Sequence, residues 1–85
     1  LTKYLASHFG SKNIRVNAVA PGPFPDIKKN ENYNQEFLDN LRNSTMLKRL
    51  GKSEEIAGPI IFLLSEASSY VTGQVLKVDG GWTAW

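Results

Sequence analysis

A chain of 85 residues fits one small domain and leaves no room for two. With no cysteine it can hold neither a disulfide nor a thiolate metal site. Its formal charge of +2 comes from scattered basic residues, with only Lys28-Lys29 and Lys48-Arg49 adjacent, which falls short of a nucleic-acid footprint.

Leu1, Leu5, Ala6 and Phe9 are spaced along one face of a helix, and Gly10 stands where a helix commonly ends. Because the sequence opens inside this helix and lacks a leading methionine, the expectation is a piece that starts mid-chain. Ile14 to Ala20 (IRVNAVA) reads as a strand: Ile14, Val16, Ala18 and Ala20 share one face, and Arg15, Asn17 and Val19 the other. Val19 leaves the second face partly apolar, as in a strand covered on both sides. Pro21-Gly22-Pro23-Phe24-Pro25 should stop the strand at once, since proline has no amide to donate. Asp26 to Asn34 is polar and loop-like. Asn34 caps a predicted short helix with Phe37, Leu38 and Leu41 on one side, and Thr45 to Lys52 is irregular, with Met46, Leu47 and Leu50 free to dock.

Ser53 suits the N-cap of a longer helix whose positive end is complemented by Glu54 and Glu55. Ile56, Ala57, Ile60, Ile61, Leu63 and Leu64 make a broad apolar face running to about Ala67, with a bend expected at Pro59. The apolar run Ile60 to Leu64 is far shorter than the roughly 18 residues of a membrane span, so no membrane partner is expected. After a turn over Ser68 to Gly73, Gln74 to Asp79 (QVLKVD) reads as a second strand, followed by Gly80-Gly81 and an aromatic tail from Trp82 to Trp85. Helical crossovers between strands favour parallel pairing. Two strands leave a sheet with uncovered faces and edges, so the pattern reads as one end of a larger sheet.

In open α/β sheets, ligands bind beyond the carboxyl ends of the strands. Pro21 and Gly22 occupy that place, and a residue without a Cβ lets a flat ligand approach the backbone. Five polar residues have plainer readings. Asn17 is a paired structural amide. His8 is a surface residue of the first helix, Glu54 and Glu55 serve the helix dipole, and Asp79 anchors the end of the last strand against Arg49.

Three segments in order, I-R-V-N-A-V-A-P-G, then R-L-G-K-S-E-E-I-A, then F-L-L-S-E-A-S-S-Y-V-T-G-Q-V-L-K-V-D-G-G, resemble the C-terminal part of short-chain dehydrogenases/reductases over nearly the whole chain. The P-G-P-F-P loop and the G-G-W-T-A-W tail lean toward gluconate- or sugar-type dehydrogenases; 3-oxoacyl-carrier-protein reductases are the other similar group. The resemblance implies an α/β fold: the last two strands, with their helices, of a Rossmann-type doubly wound parallel sheet. Residues 1–85 would then be the C-terminal segment of a single dinucleotide-binding catalytic domain.

It also implies that the family's catalytic Tyr and Lys, and the serine before them, precede Leu1, so no catalytic residue is assigned in this chain and the segment alone should be inactive. Pro21, Gly22, Pro23 and Phe24 would border the nicotinamide of NAD or NADP, with backbone groups near Phe24 hydrogen-bonding its carboxamide. Asp26 stands where the family commonly has a threonine. Asp26 to Leu50 would form a lid over a small-molecule substrate, a sugar or another polar compound. The helix and strand near the C-terminus, with the Trp tail, would meet a second copy in a homodimer or homotetramer, in a cytoplasmic enzyme. A non-enzymatic binding or assembly protein of the same fold is the alternative. No metal site is implied.

Overall fold

The computed structural model describes residues 1–25 and 33–84. Expectations placed on Asp26 and Trp85 lie outside the described residues.

Thr2–Phe9 forms α1, with Ala6 turned inward. Gly10 is its C-cap, where the sequence places the helix end, but not in the left-handed form usual for a glycine cap. That residue keeps right-handed helical angles, and the chain tightens into a 3-10 turn over Gly10–Lys12. The reversal falls at Asn13, whose φ of 61° is left-handed and whose N–H donates to the Gly10 carbonyl at 3.0 Å. Asparagine tolerates this conformation better than other side chains do.

The first strand, β1, is Ala18–Pro21, shorter at its start and longer at its end than the apolar pattern predicts. It pairs in parallel with β2, Val75–Val78, in the register Ala18 to Val75 and Pro21 to Val78. Residues 14–17 stay out of the ladder because side chains replace it there. The Val16 N–H donates to Thr72 Oγ1 at 3.0 Å, and Asn17 Nδ2 donates to the Val71 carbonyl at 2.9 Å. Pro21 remains in the strand because ladder donors alternate along a strand. Ala18 N–H donates to the Gln74 carbonyl and Gly22 N–H to the Val78 carbonyl, so the missing proline donor lies on the side away from β2.

Gln35–Asn43 forms α2, and Asn34 Oδ1 accepts from the Phe37 N–H at 2.7 Å, as the cap residue predicts. Leu38 is buried and Leu41 half-buried, but Phe37 lies toward solvent with its ring stacked on Tyr33, centroids 5.7 Å apart. Ser53–Leu64 forms α3. Its N-cap is Lys52, and Ser53 is the first helical residue; the cap amide of Lys52 is instead satisfied by Glu55 Oε1 at 3.0 Å. The helix passes through Pro59 and stops at Leu64, earlier than its apolar residues suggest, because Ser65 turns extended before a 3-10 turn over Glu66–Ser68. Arg15, from the segment before β1, closes that end by donating to Ser68 Oγ at 3.0 Å and to the Val71 and Ser65 carbonyls.

Among the described residues the fully buried side chains are two hydroxyls. Thr45 donates to the Arg42 carbonyl at 3.0 Å and accepts from the Arg49 N–H; Ser68 donates to the Leu63 carbonyl at 3.0 Å. The apolar core is correspondingly thin, Ala6 and Leu38, while Ile61 is 65 % and Leu64 80 % exposed. The chain presents 6458 Å² to solvent. A compact globule of its 9.5 kDa exposes about 5,000 Å². The two-stranded sheet and α3 therefore carry apolar surface that these residues do not cover, as the strand count predicts.

Candidate functional site

The carboxyl ends of β1 and β2 meet at one place, and the loops leaving them define the site. Pro21 and Gly22 carry the chain off β1 beside Val78 and Asp79. A Cβ built on Gly22 would lie 2.5 Å from Asp79 Cβ and 2.6 Å from Asp79 Cα. The missing side chain is thus already required by the neighbouring strand, whatever approaches from outside. Beyond Gly22 the Pro23 carbonyl accepts from the Gly51 N–H at 3.1 Å. The Phe24 ring lies on Gly51, where a Cβ would come within 2.6 Å of Phe24 Cδ1 and Cζ. Among the described residues nothing accepts from the Phe24 amide.

Asp79 ends the second strand, but not against Arg49. Its Oδ1 accepts from the Gly81 N–H at 3.0 Å, and its Oδ2 accepts from the Thr83 hydroxyl at 2.6 Å and the Thr83 N–H at 3.2 Å. These bonds, that from the Thr83 hydroxyl first, hold the Asp79 carboxyl below its ordinary range. Gly80 and Gly81 between them take left-handed φ values of 62° and 89°, which explains the paired glycines. The Gly80 carbonyl accepts from the Leu47 N–H at 3.0 Å, tying the loop after α2 to this turn.

Arg49 turns instead to Glu55. Its Nη1 and Nη2 donate to Oε1 and Oε2, both at 2.7 Å, in a two-pronged pair. The Arg49 hydrogen bond, with the Lys52 amide second, brings the Glu55 carboxyl down to about 2, and the pair raises Arg49 above its ordinary value. Glu54 and Glu55 do stand in the first turn of α3, as the dipole reading has it. The fork to Arg49 is a second role that residue order alone does not reveal, because the partners are separated by an irregular segment. Phe24, Arg49, Gly51, Glu55, Asp79 and Gly80 are among the walls of a cleft of about 150 Å³.

Asn17 lies on the approach to the site rather than in it. Its amide donates to the Val71 carbonyl and its oxygen accepts from the Gln74 N–H at 3.1 Å, the paired structural role its position suggests. His8 sits on the exposed side of α1 with its ring edge-on to Phe9. Among the described residues no cluster of His, Cys, Asp or Glu could hold a metal ion, and no helix is long and apolar enough to cross a membrane.

Pro21-Gly22-Pro23 after β1 and Gly80-Gly81 after β2 lie together at the carboxyl ends of a parallel pair, the place where open α/β sheets bind their ligands. A family model described as enoyl-(acyl carrier protein) reductase matches residues 1–83. The chain is 50% identical over 80 residues to a 3-oxoacyl-(acyl-carrier-protein) reductase of Chlamydia trachomatis, covering 94% of this chain and 32% of that protein. It is 41% identical over 88 residues to a galactitol 2-dehydrogenase (L-tagatose-forming) of Cereibacter sphaeroides, covering 100% of this chain and 34% of that one. Among solved structures, 4-hydroxyisoleucine dehydrogenase complexed with NADH superposes with a TM-score of 0.89 at 32% identity, over 99% of this chain and 35% of the other.

The chain belongs to the short-chain dehydrogenase/reductase family, and its fold is a Rossmann-type α/β unit with two parallel strands and three α-helices among the described residues. It spans about a third of the length of the curated relatives it matches. The family is NAD(P)-dependent.

Proposed function

We propose that residues 1–85 are the C-terminal segment of a single dinucleotide-binding catalytic domain. The whole protein transfers a hydride between NAD(H) or NADP(H) and an alcohol/carbonyl pair. The observation that carries this reading is the Pro21–Phe24 loop at the joint carboxyl end of β1 and β2, in a chain of this family. The loop suits a nicotinamide amide. The Pro23 carbonyl is occupied by Gly51, while the Phe24 N–H points to no acceptor among the described residues and can donate to a carboxamide oxygen.

The bound nicotinamide supplies the hydride chemistry. Pro21, Gly22, Pro23 and Phe24 contribute placement: a backbone set by two prolines and clamped by Gly51 and Asp79 holds its donor in one position, which lowers the entropy lost in reaching the reactive geometry. The substrate is a small molecule. A sugar or other polar alcohol is supported by the Pro-Gly-Pro-Phe-Pro loop and by the likeness to the galactitol enzyme. Reduction of a 3-oxoacyl thioester is the second reading, supported by the 50% identity to the Chlamydia trachomatis reductase. The exposed Ile61, Leu64, Val75 and Trp82 support burial against a second copy in a homodimer or homotetramer.

Absorbance at 340 nm, followed with the full-length protein, tests both substrate readings. With NAD⁺ or NADP⁺, sugar alcohols and hydroxy acids should generate reduced cofactor; with reduced cofactor, a 3-oxoacyl thioester should consume it under the second reading. If neither oxidised nor reduced cofactor binds in calorimetry, hydride transfer is refuted.

A further inference from the structure

We infer that Arg49, Glu55 and Gly51 are positioning residues for the nicotinamide end of the cofactor, acting through the Pro23–Phe24 peptide; the inference rests on the proposed role of that loop. Three contacts make one mechanical path. Gly51 touches the loop twice, by its N–H on the Pro23 carbonyl and by its bare Cα under the Phe24 ring. Arg49, two positions before Gly51, and Lys52, the next residue after it, are both held by one carboxylate. Glu55 accepts the Arg49 guanidinium in two 2.7 Å bonds and the Lys52 N–H at 3.0 Å. Glu55 itself is fixed in the first turn of α3, and Arg49 is fixed from behind, since its N–H donates to the fully buried Thr45 hydroxyl and its Nη1 also reaches the Leu50 carbonyl.

None of these three residues needs to touch the cofactor. Their effect is to keep Gly51 at the height where Pro23 and Phe24 rest on it. A lysine at position 49 keeps the charge but cannot form the planar fork. The 49–52 segment would then loosen around Gly51, and the Phe24 amide would lose its fixed orientation. A methyl group at position 51 would push the Phe24 ring away directly. In both cases the adenosine and pyrophosphate contacts, made elsewhere in a dinucleotide fold, are untouched.

That separation supplies the experiment. In the full-length protein, NADH (or NADPH, whichever binds) and ADP-ribose, which lacks the nicotinamide, are titrated by calorimetry against wild type, R49K, G51A, R49E and the exchange R49E/E55R. Weakening one hydrogen bond to the carboxamide corresponds to about a two- to twelvefold loss of reduced-cofactor affinity. R49K and G51A should show that loss, with ADP-ribose affinity unchanged, and the exchange should recover part of it relative to R49E alone. Equal losses for both ligands would assign these residues to general folding and overturn the inference, as would unchanged affinity for both. R49K keeps the test valid if G51A does not fold. If wild type binds ADP-ribose as tightly as the reduced cofactor, the nicotinamide has no site at this loop, and the proposed function of Pro21–Phe24 fails before that of Arg49.

Discussion

Replacing Asn17 with alanine removes two bonds that hold the approach to the sheet: Nδ2 to the Val71 carbonyl at 2.9 Å and the Gln74 N–H to Oδ1 at 3.1 Å. Each such bond contributes about 0.5–1.5 kcal/mol net. The loss falls toward the lower end, because the Val71 carbonyl keeps the Arg15 guanidinium at 3.2 Å and the Gln74 amide is open to water. A total of about 1–2 kcal/mol follows, which in a domain of roughly 150–250 residues lowers Tm by about 2–8 °C. Differential scanning calorimetry on the full-length protein, N17A against wild type, measures it. N17D sharpens the result: it keeps the acceptor for Gln74 but sets a carboxylate against the Val71 carbonyl, so it is less stable than wild type at neutral pH and recovers as pH falls toward about 4, because a carboxylate disfavoured in the folded state protonates above its ordinary value. An unchanged Tm with a raised KM for cofactor would refute the structural role and move Asn17 into the site.

Glu55 has a folded pKa of about 2 against an ordinary 4.5, so its pairing stabilises fully above pH 4.5 and is lost as pH falls toward 2. The Tm gap between wild type and E55Q should therefore narrow across that window; a gap of constant size from pH 6 to pH 2.5 would contradict the fork. G22A forces a Cβ to 2.5 Å from Asp79 Cβ and should cost about 1–3 kcal/mol in urea unfolding, with the slope of the transition unchanged. A neutral G22A would mean that the strand ends part more easily than their contact implies. Aspartate at Ile61 or Leu64, both exposed on α3, should lower the assembled mass seen by light scattering without changing the spectrum of the fold; an unaltered mass would place the interface elsewhere.

Much of the architecture was legible because it rests on local rules. Asn34 as a cap, the parallel pair around Val19 and Leu76, and the amide role of Asn17 all follow from residue type and position. Boundaries set by distant partners were not legible. The start of β1 depends on Thr72 and Val71, more than fifty positions away, and the end of α3 on Ser65 and Arg15. Gly10 offered the stronger stop signal in α1, yet Asn13 takes the left-handed turn. The loop at Pro21 to Phe24 could be placed at a strand end from residue order, while its support by Gly51 could not. Asp79 was expected to meet Arg49, but Thr83, four residues on, gives Asp79 a nearer donor and leaves Arg49 to Glu55. Gly51 carries no functional group, and only the packing of Phe24 reveals why it is glycine.

Whether the cofactor abuts this loop can be read at a single amide. The chain has four phenylalanines, of which Phe24 lies in the loop, while Phe9, Phe37 and Phe62 lie on α1, α2 and α3. With the full-length protein labelled with ¹⁵N-phenylalanine, titration with the reduced cofactor should shift the Phe24 amide in step with saturation, and ADP-ribose should leave it largely in place. A Phe24 resonance unmoved at saturating reduced cofactor would contradict the assignment of Pro21–Phe24 as the nicotinamide border.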